Sequence, residues 1–150
     1  MNLEITRDSE IIKKVMTDSD IWSKISIDNV EKSDFNPEIP ANIIFLAAFV
    51  SDVIGLHMFT SYKNGVLYHP MLLKPYRKDY GREFFSNGIK WFFDNTDNDS
   101  LGAEIPISHK STINLAKHLN FKDLGIRKNG ILKNGNYLDL QILRLEKWAA

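Results

Sequence analysis

Apolar and polar positions along this chain switch between a period near two and a period near 3.6, and the switches mark out its elements. Asn2–Thr6 reads as a short strand. Asp8 or Ser9 caps a helix whose apolar positions are Ile11, Ile12, Val15 and Met16. Ile21, Trp22 and Ile25 mark a second short helix, and residues 31–41, with Pro37 and Pro40 among polar residues, read as a loop. Asn42–Val50 is nearly all apolar, the pattern of a strand buried on both faces. A turn at Ser51-Asp52, the run Val53–Thr60, a turn at Lys63-Asn64-Gly65 and the run Val66–Leu73 complete an antiparallel meander.

A helix is expected after Gly81, with Phe84, Gly88 and Phe92 on one line and Phe85, Ile89 and Phe93 beside it, a stripe wide enough to face a sheet. Leu101–Ile107 is the next strand. Ile113, Ala116 and Leu119 form the apolar face of a helix from about Ser111 to Leu119. Phe121–Leu132 and Tyr137–Lys147 pair across Asn134-Gly135, a strong hairpin signal. The order is β-α-α-β-β-β-α-β-α-β-β. The long crossover through the Gly81 helix makes strands 66–73 and 101–107 parallel neighbours. The expected fold is α/β (α+β): one domain over residues 1–150, with a mixed, mostly antiparallel central sheet and helices on both faces.

Composition narrows the function. Of 150 residues, 43% are hydrophobic and 25% charged, which is ordinary for a soluble chain. The 19 basic and 19 acidic residues balance, which argues against coating nucleic acid or an anionic membrane. There is no cysteine, so disulfides, thiolate metal sites and thiol nucleophiles are excluded. His57, His69, His109 and His118 lack the spacing of a zinc site. No secretory or membrane-spanning run is present, and the expected compartment is the cytoplasm.

The candidate chemistry starts at Leu67–Phe85. A β-prone run ends in a proline and a basic cluster (Lys74, Arg77, Lys78, Arg82), and then come Gly81 and a helix. Free N–H groups and the dipole at a helix start favour anions, so this is a device for holding phosphate, or simply a capped helix with solvated charges. Alternation places His69 on a face with Leu67, Met71 and Leu73. Glu104 lies inside an apolar strand, which suits a cleft-facing base or amine anchor, or a solvent-facing position. Ser108 and His109 stand where strand meets helix, as cap or ligand residues. Tyr137 and Asp139 line an acceptor pocket or pack the sheet, and Trp22, Trp91 and Trp148 read as packing residues.

Three motifs, PYRKDYGREF at 75–84, IPISHKSTINLAKHLNFKDLG at 105–125 and NGNYLDLQILRLEKW at 134–148, carry a resemblance to the GNAT superfamily of N-acetyltransferases. It covers residues 43–148 and is nearest the branch that modifies ribosomal-protein N-termini. The resemblance implies acetyl-CoA in a splay between strands 66–73 and 101–107. Backbone near Leu72 and Leu73 would hold the pantetheine. Arg77, Lys78, Tyr80, Gly81 and Arg82 would surround the pyrophosphate, with His109 on the same arm. His69, Glu104 or a water would take the proton of the attacking amine. The acceptor is a protein N-terminus, a lysine or a small molecule, and the protein a monomer or homodimer. The sequence also departs from the family. Only one glycine of the pyrophosphate turn survives, beside Asp79 and Glu83. His109 replaces an asparagine, Ala116 stands at the usual tyrosine acid, and Asn120 replaces a glycine, where it can still adopt a left-handed cap. These departures also suit a non-catalytic module of the same fold, such as a phage accessory protein.

Overall fold

The structure is a computed structural model and describes residues 1–25 and 30–150. A seven-stranded sheet runs β1 (Asn2–Ile5), β2 (Ile43–Phe49), β3 (Val53–Tyr62), β4 (Gly65–Leu72), β5 (Ser100–Pro106), β7 (Asn136–Glu146) and β6 (Lys122–Lys133) in spatial order. Every neighbouring pair is antiparallel except β4 and β5, which are parallel, as the long crossover requires. The expected element order is the observed one.

Helices α1 (Ser9–Met16) and α2 (Ser19–Ile25) cover one face of the sheet, while α3 (Arg77–Asn95) and α4 (Lys110–His118) cover the other. β2 is buried on both sides for that reason. Phe45 and Ala47 meet Ile12, Val15 and Ile21, while Leu46 joins the cluster of Phe59, Phe92 and Leu143 on the opposite face. The aromatic stripe of α3 packs as anticipated, with Phe84, Gly88, Ile89, Phe92 and Phe93 buried.

Local chemistry sets the element ends. Asp8 caps α1 by accepting the Glu10 N–H at 2.9 Å. α4 closes in a Schellman motif. Asn120 sits at φ +71°, its N–H donates to Lys117 O, and Phe121 N–H reaches Ala116 O. Asn134 and Gly135 both take positive φ, the type I′ geometry that matches strand twist.

Three expectations change. α3 begins at Arg77, after a 3₁₀ turn at Lys74–Tyr76, so Gly81 lies within the helix instead of ahead of it. Trp148 is 87% exposed and Tyr137 66% exposed, because one follows the last strand in a terminal 3₁₀ turn and the other stands near the hairpin tip. Neither packs. No helix among the described residues is long and apolar enough to cross a membrane.

Candidate functional site

The parallel pair β4–β5 is in register at a single position, Leu67 opposite Gly102. Beyond it no further β4–β5 pair forms, although β4 stays paired with β3 to Leu72 and β5 with β7 to Pro106. Pro70 supplies a reason. Leu73 N–H donates to Ile54 O on β3 at 2.9 Å, and amide directions alternate along a strand. Pro70 and Leu72 therefore face β5, and proline has no N–H for the next rung of that ladder. The same alternation turns Leu72 N–H into the opening. Leu73, whose N–H is engaged by β3, offers no amide there.

His69 and Glu104 each stand two residues beyond the Leu67–Gly102 pair, on the sheet face that carries α1 and α2. Burial lowers the His69 pKa from 6.5, and the Glu104 carboxylate partly opposes that shift. The imidazole is neutral at physiological pH, and its buried Nδ1 has no hydrogen-bond partner among the described residues. Glu104 is not free. Its Oε1 accepts from Arg127 Nη1 at 3.0 Å, across the sheet from β6.

At the outer end of β4, the 3₁₀ turn takes the first amides, with Tyr76 N–H donating to Leu73 O and Arg77 N–H to Lys74 O, so the amides that follow in the first turn of α3 are the ones that suit an anion. Lys78 and Arg82 are exposed there, while Tyr80 packs beside Phe84 and Phe85. A Cβ built on Gly81 would meet nothing within 4 Å, so the protein itself does not require glycine at this position. Arg77 has a different setting from its basic neighbours. Its Nε donates to Leu72 O at 3.0 Å and its Nη2 binds the Asp20 carboxylate of α2. That bond, followed by the charges of Arg77 and Lys24, holds the Asp20 carboxyl below the ordinary carboxylate range despite some desolvation.

On the β5 side, His109 is the N-cap residue of α4 and makes no side-chain cap bond. Burial, then Lys133 and Lys24, lower its pKa. Ala116 is buried with Ile113 in the main core, so a larger side chain at this position would face packed residues. Asp139 takes Lys128 and the Asn129 N–H.

Sequence reasoning brought His69, Glu104, Leu72 and the basic turn to one opening but missed the partners Asp20 and Arg127. It also missed a buried pair on the α3 face. His57 is fully buried, bonded through Nδ1 to the Tyr68 hydroxyl at 2.7 Å and stacked on Phe84 at 3.9 Å. The alternation of Val53–Thr60 is the signal that would have placed His57 beside Phe59.

No family model matches the sequence, and no curated protein resembles it in sequence. Solved structures do resemble it in shape. A ribosomal-protein-alanine N-acetyltransferase from Brucella melitensis superposes with a TM-score of 0.74 at 15% identity, covering 97% of this chain and 99% of that one. A spermidine N-acetyltransferase from Vibrio cholerae gives 0.78 at 9% identity, over 98% and 95% of the two chains. An N-acetyltransferase from Staphylococcus aureus gives 0.72 at 17%, over 99% of both. At these identities the likeness speaks for architecture, and the architecture of this chain is the GNAT fold.

Proposed function

We propose that the protein is an N-acetyltransferase that draws on acetyl-CoA and acts on an amine held beside the β4–β5 cleft. The observation that carries this reading is the end of the parallel β4–β5 ladder after Leu67–Gly102, with the Leu72 amide and the start of α3 beyond it on the β4 side. Acetyl-CoA supplies an activated acyl group. In the transfer the amine nitrogen bonds to the acyl carbon, the carbon–sulfur bond breaks, and the sulfur leaves as thiolate or thiol.

The chain's own part is binding, orientation and proton handling. Leu72 N–H would hold an amide or carbonyl oxygen in the cleft. Lys78, Arg82 and the α3 amides after Arg77 would hold the pyrophosphate, while Tyr80 packs that turn and Gly81 leaves room for close approach. His109 flanks the same arm. His69 is the stronger candidate for the base, being neutral and lacking a partner at Nδ1, whereas Glu104 is tied to Arg127. Glu104 then serves the acceptor side by opposing the fall in the His69 pKa. With alanine at 116, no tyrosine acid is available there, and the thiolate leaves with help from solvent.

A second reading, a non-catalytic module of the same fold, is favoured by Asp79 and Glu83 at the start of α3 and by the packed Ala116. Calorimetric titration with CoA and acetyl-CoA separates the two. The enzyme reading expects binding, and expects Gly81→Val to weaken it about tenfold or more without loss of fold stability, since the new side chain meets only open space and helix propensity does not suffer. Silence at millimolar ligand would remove the acetyltransferase reading.

A further inference from the structure

The acceptor side of the cleft carries a charge pattern that bears on what kind of amine enters; this step rests on the acetyltransferase reading. α2 touches both α3 and the β6–β7 hairpin. Near its start Asp20 is held by Arg77 at the foot of α3, and one turn later the Ser23 carbonyl accepts from Lys133 Nζ near the tip of the β6–β7 hairpin. That hairpin outruns its neighbour. β5 ends at Pro106, opposite Leu140, while β7 extends back to Asn136. α2 and the hairpin tip therefore form an arch beside the β5–α4 junction, where His109 lies.

The acidic groups on this arch already have partners among the described residues. Asp18 accepts the N–H groups of Asp20 and Ile21 at the start of α2. Asp20 binds Arg77 and lies 3.5 Å from Lys24. Glu104 binds Arg127, and Asp139 takes Lys128 and the Asn129 amide. The basic groups are less well matched. Asp20 is one carboxylate between two cations, and the half-buried Lys133 ammonium meets a neutral carbonyl. The charges of Lys133 and Lys24 also reach His109, where they add to burial in keeping the ring neutral. Among the described residues, a polycation entering here finds Asp20, Glu104 and Asp139 bonded to cations, whereas an anion finds Lys133 on a neutral carbonyl and Lys24 sharing one carboxylate with Arg77.

We propose that the acceptor is an amine carrying a carboxylate at some distance from the reacting nitrogen, with the carboxylate set against Lys133 and Lys24. Polyamines, the substrate named for one neighbour of the same fold, are then disfavoured.

The test uses the full chain with acetyl-CoA and four amines: the peptide Ala-Glu-Glu, its counterpart Ala-Lys-Lys, free glutamate and spermidine. The readouts are the kcat/KM of each and, in parallel, binding of labelled forms of the two peptides to the CoA-saturated protein. Ala-Glu-Glu is expected to exceed Ala-Lys-Lys and spermidine by about tenfold at low salt, with the gap narrowing as salt rises. Lys133→Glu should shrink or invert the ratio. The glutamate arm tells a small amino acid from a peptide as the source of the carboxylate. Equal or better use of spermidine or Ala-Lys-Lys would overturn the proposal, as would a ratio that Lys133→Glu leaves unmoved. If no amine is acetylated, the binding ratio decides. CoA titration of the same samples reports on the acetyltransferase reading separately. Lost CoA binding sinks that reading, while retained CoA binding without acidic preference sinks only this one.

Discussion

Gly88 on α3 lies directly over the imidazole of His57 on β3. A Cβ at position 88 would stand 2.2 Å from Cε1, 2.4 Å from Nδ1 and 2.8 Å from Nε2 of that ring. The ring is itself hemmed in by Phe84 and Tyr68, so it has no free direction in which to move. Gly88→Ala should cost about 1–3 kcal/mol by overpacking, read as a lower urea midpoint. Pairing it with His57→Ala removes the obstacle, so the two losses should not add. An unchanged midpoint for Gly88→Ala alone would refute this account of the packing.

His57 also makes stability depend on pH. Burial pushes its pKa from 6.5 down to about 3 in the folded protein. The unfolded chain therefore binds a proton below 6.5 while the folded chain does not. Stability is full above 6.5 and falls with pH until about 3, by about 1.4 kcal/mol per unit. Urea unfolding at neutral pH and at about pH 5 should differ by roughly 2 kcal/mol from this residue. His69, also lowered, acts in the same direction. His57→Phe keeps the stacking and removes the titration, so its loss over the same interval should be smaller. An identical loss in the variant would assign the effect elsewhere.

Arg77 joins two parts of the site, the Leu72 carbonyl and the Asp20 carboxylate. Both side chains are about a third exposed, so the pair contributes modestly to stability, about 1 kcal/mol at most. Arg77→Ala frees the end of β4 and should weaken CoA binding as well as lower the Tm. Asp20→Asn leaves the Leu72 bond in place, so it should lower the Tm with little change in CoA affinity. Arg77→Lys should behave like the alanine variant, because one ammonium cannot span both acceptors. Equal CoA affinities for Asp20→Asn and Arg77→Ala would show that the Leu72 bond does not matter.

His69→Ala should reduce the acetylation rate by about 10² while leaving CoA affinity close to that of the parent. A base works when neutral, and burial sets this pKa below 6.5, so the rate should rise with pH through a midpoint under 6.5 and then stay level to about pH 9. A falling alkaline limb would reveal an acid that the site as described does not contain. A parental rate in His69→Ala would move the proton to Glu104 or water.

What the sequence could and could not reveal follows from the range of each interaction. The order of elements was legible because periodicity is local, and Asn120 and Asn134-Gly135 announced their own backbone geometry. The true start of α3 is hidden in the sequence because glycine reads as a turn. Its cost inside a helix is only about 1 kcal/mol, and the turn that precedes this helix is a short 3₁₀ segment. The partners of the site residues were out of reach. Arg77 meets Asp20 across 57 positions and Glu104 meets Arg127 across 23, and such pairings depend on sheet register and helix placement. Trp148 looks like a packing residue by its side chain alone, although its position after the last strand leaves it in solvent.

The one-rung junction between β4 and β5 also has a consequence for cooperativity. On one side of it stand β1–β4, joined by long ladders with one shift at Ala48/Phe49; on the other stand β5, β7 and β6, joined by a continuous β5–β7 ladder and a β6–β7 ladder that shifts register between Asp123 and Gly125 and between Arg127 and Ile131. Between them the backbone contributes little, and side chains packed under α3 and α4 supply most of the bond. Such a sheet contains a built-in line of weakness along which sub-global opening is expected, and amide exchange would divide into two groups with different protection. A molecule lodged in the cleft touches both groups. Its binding would therefore fuse two exchange units into one, rigidifying strands far from any atom it contacts.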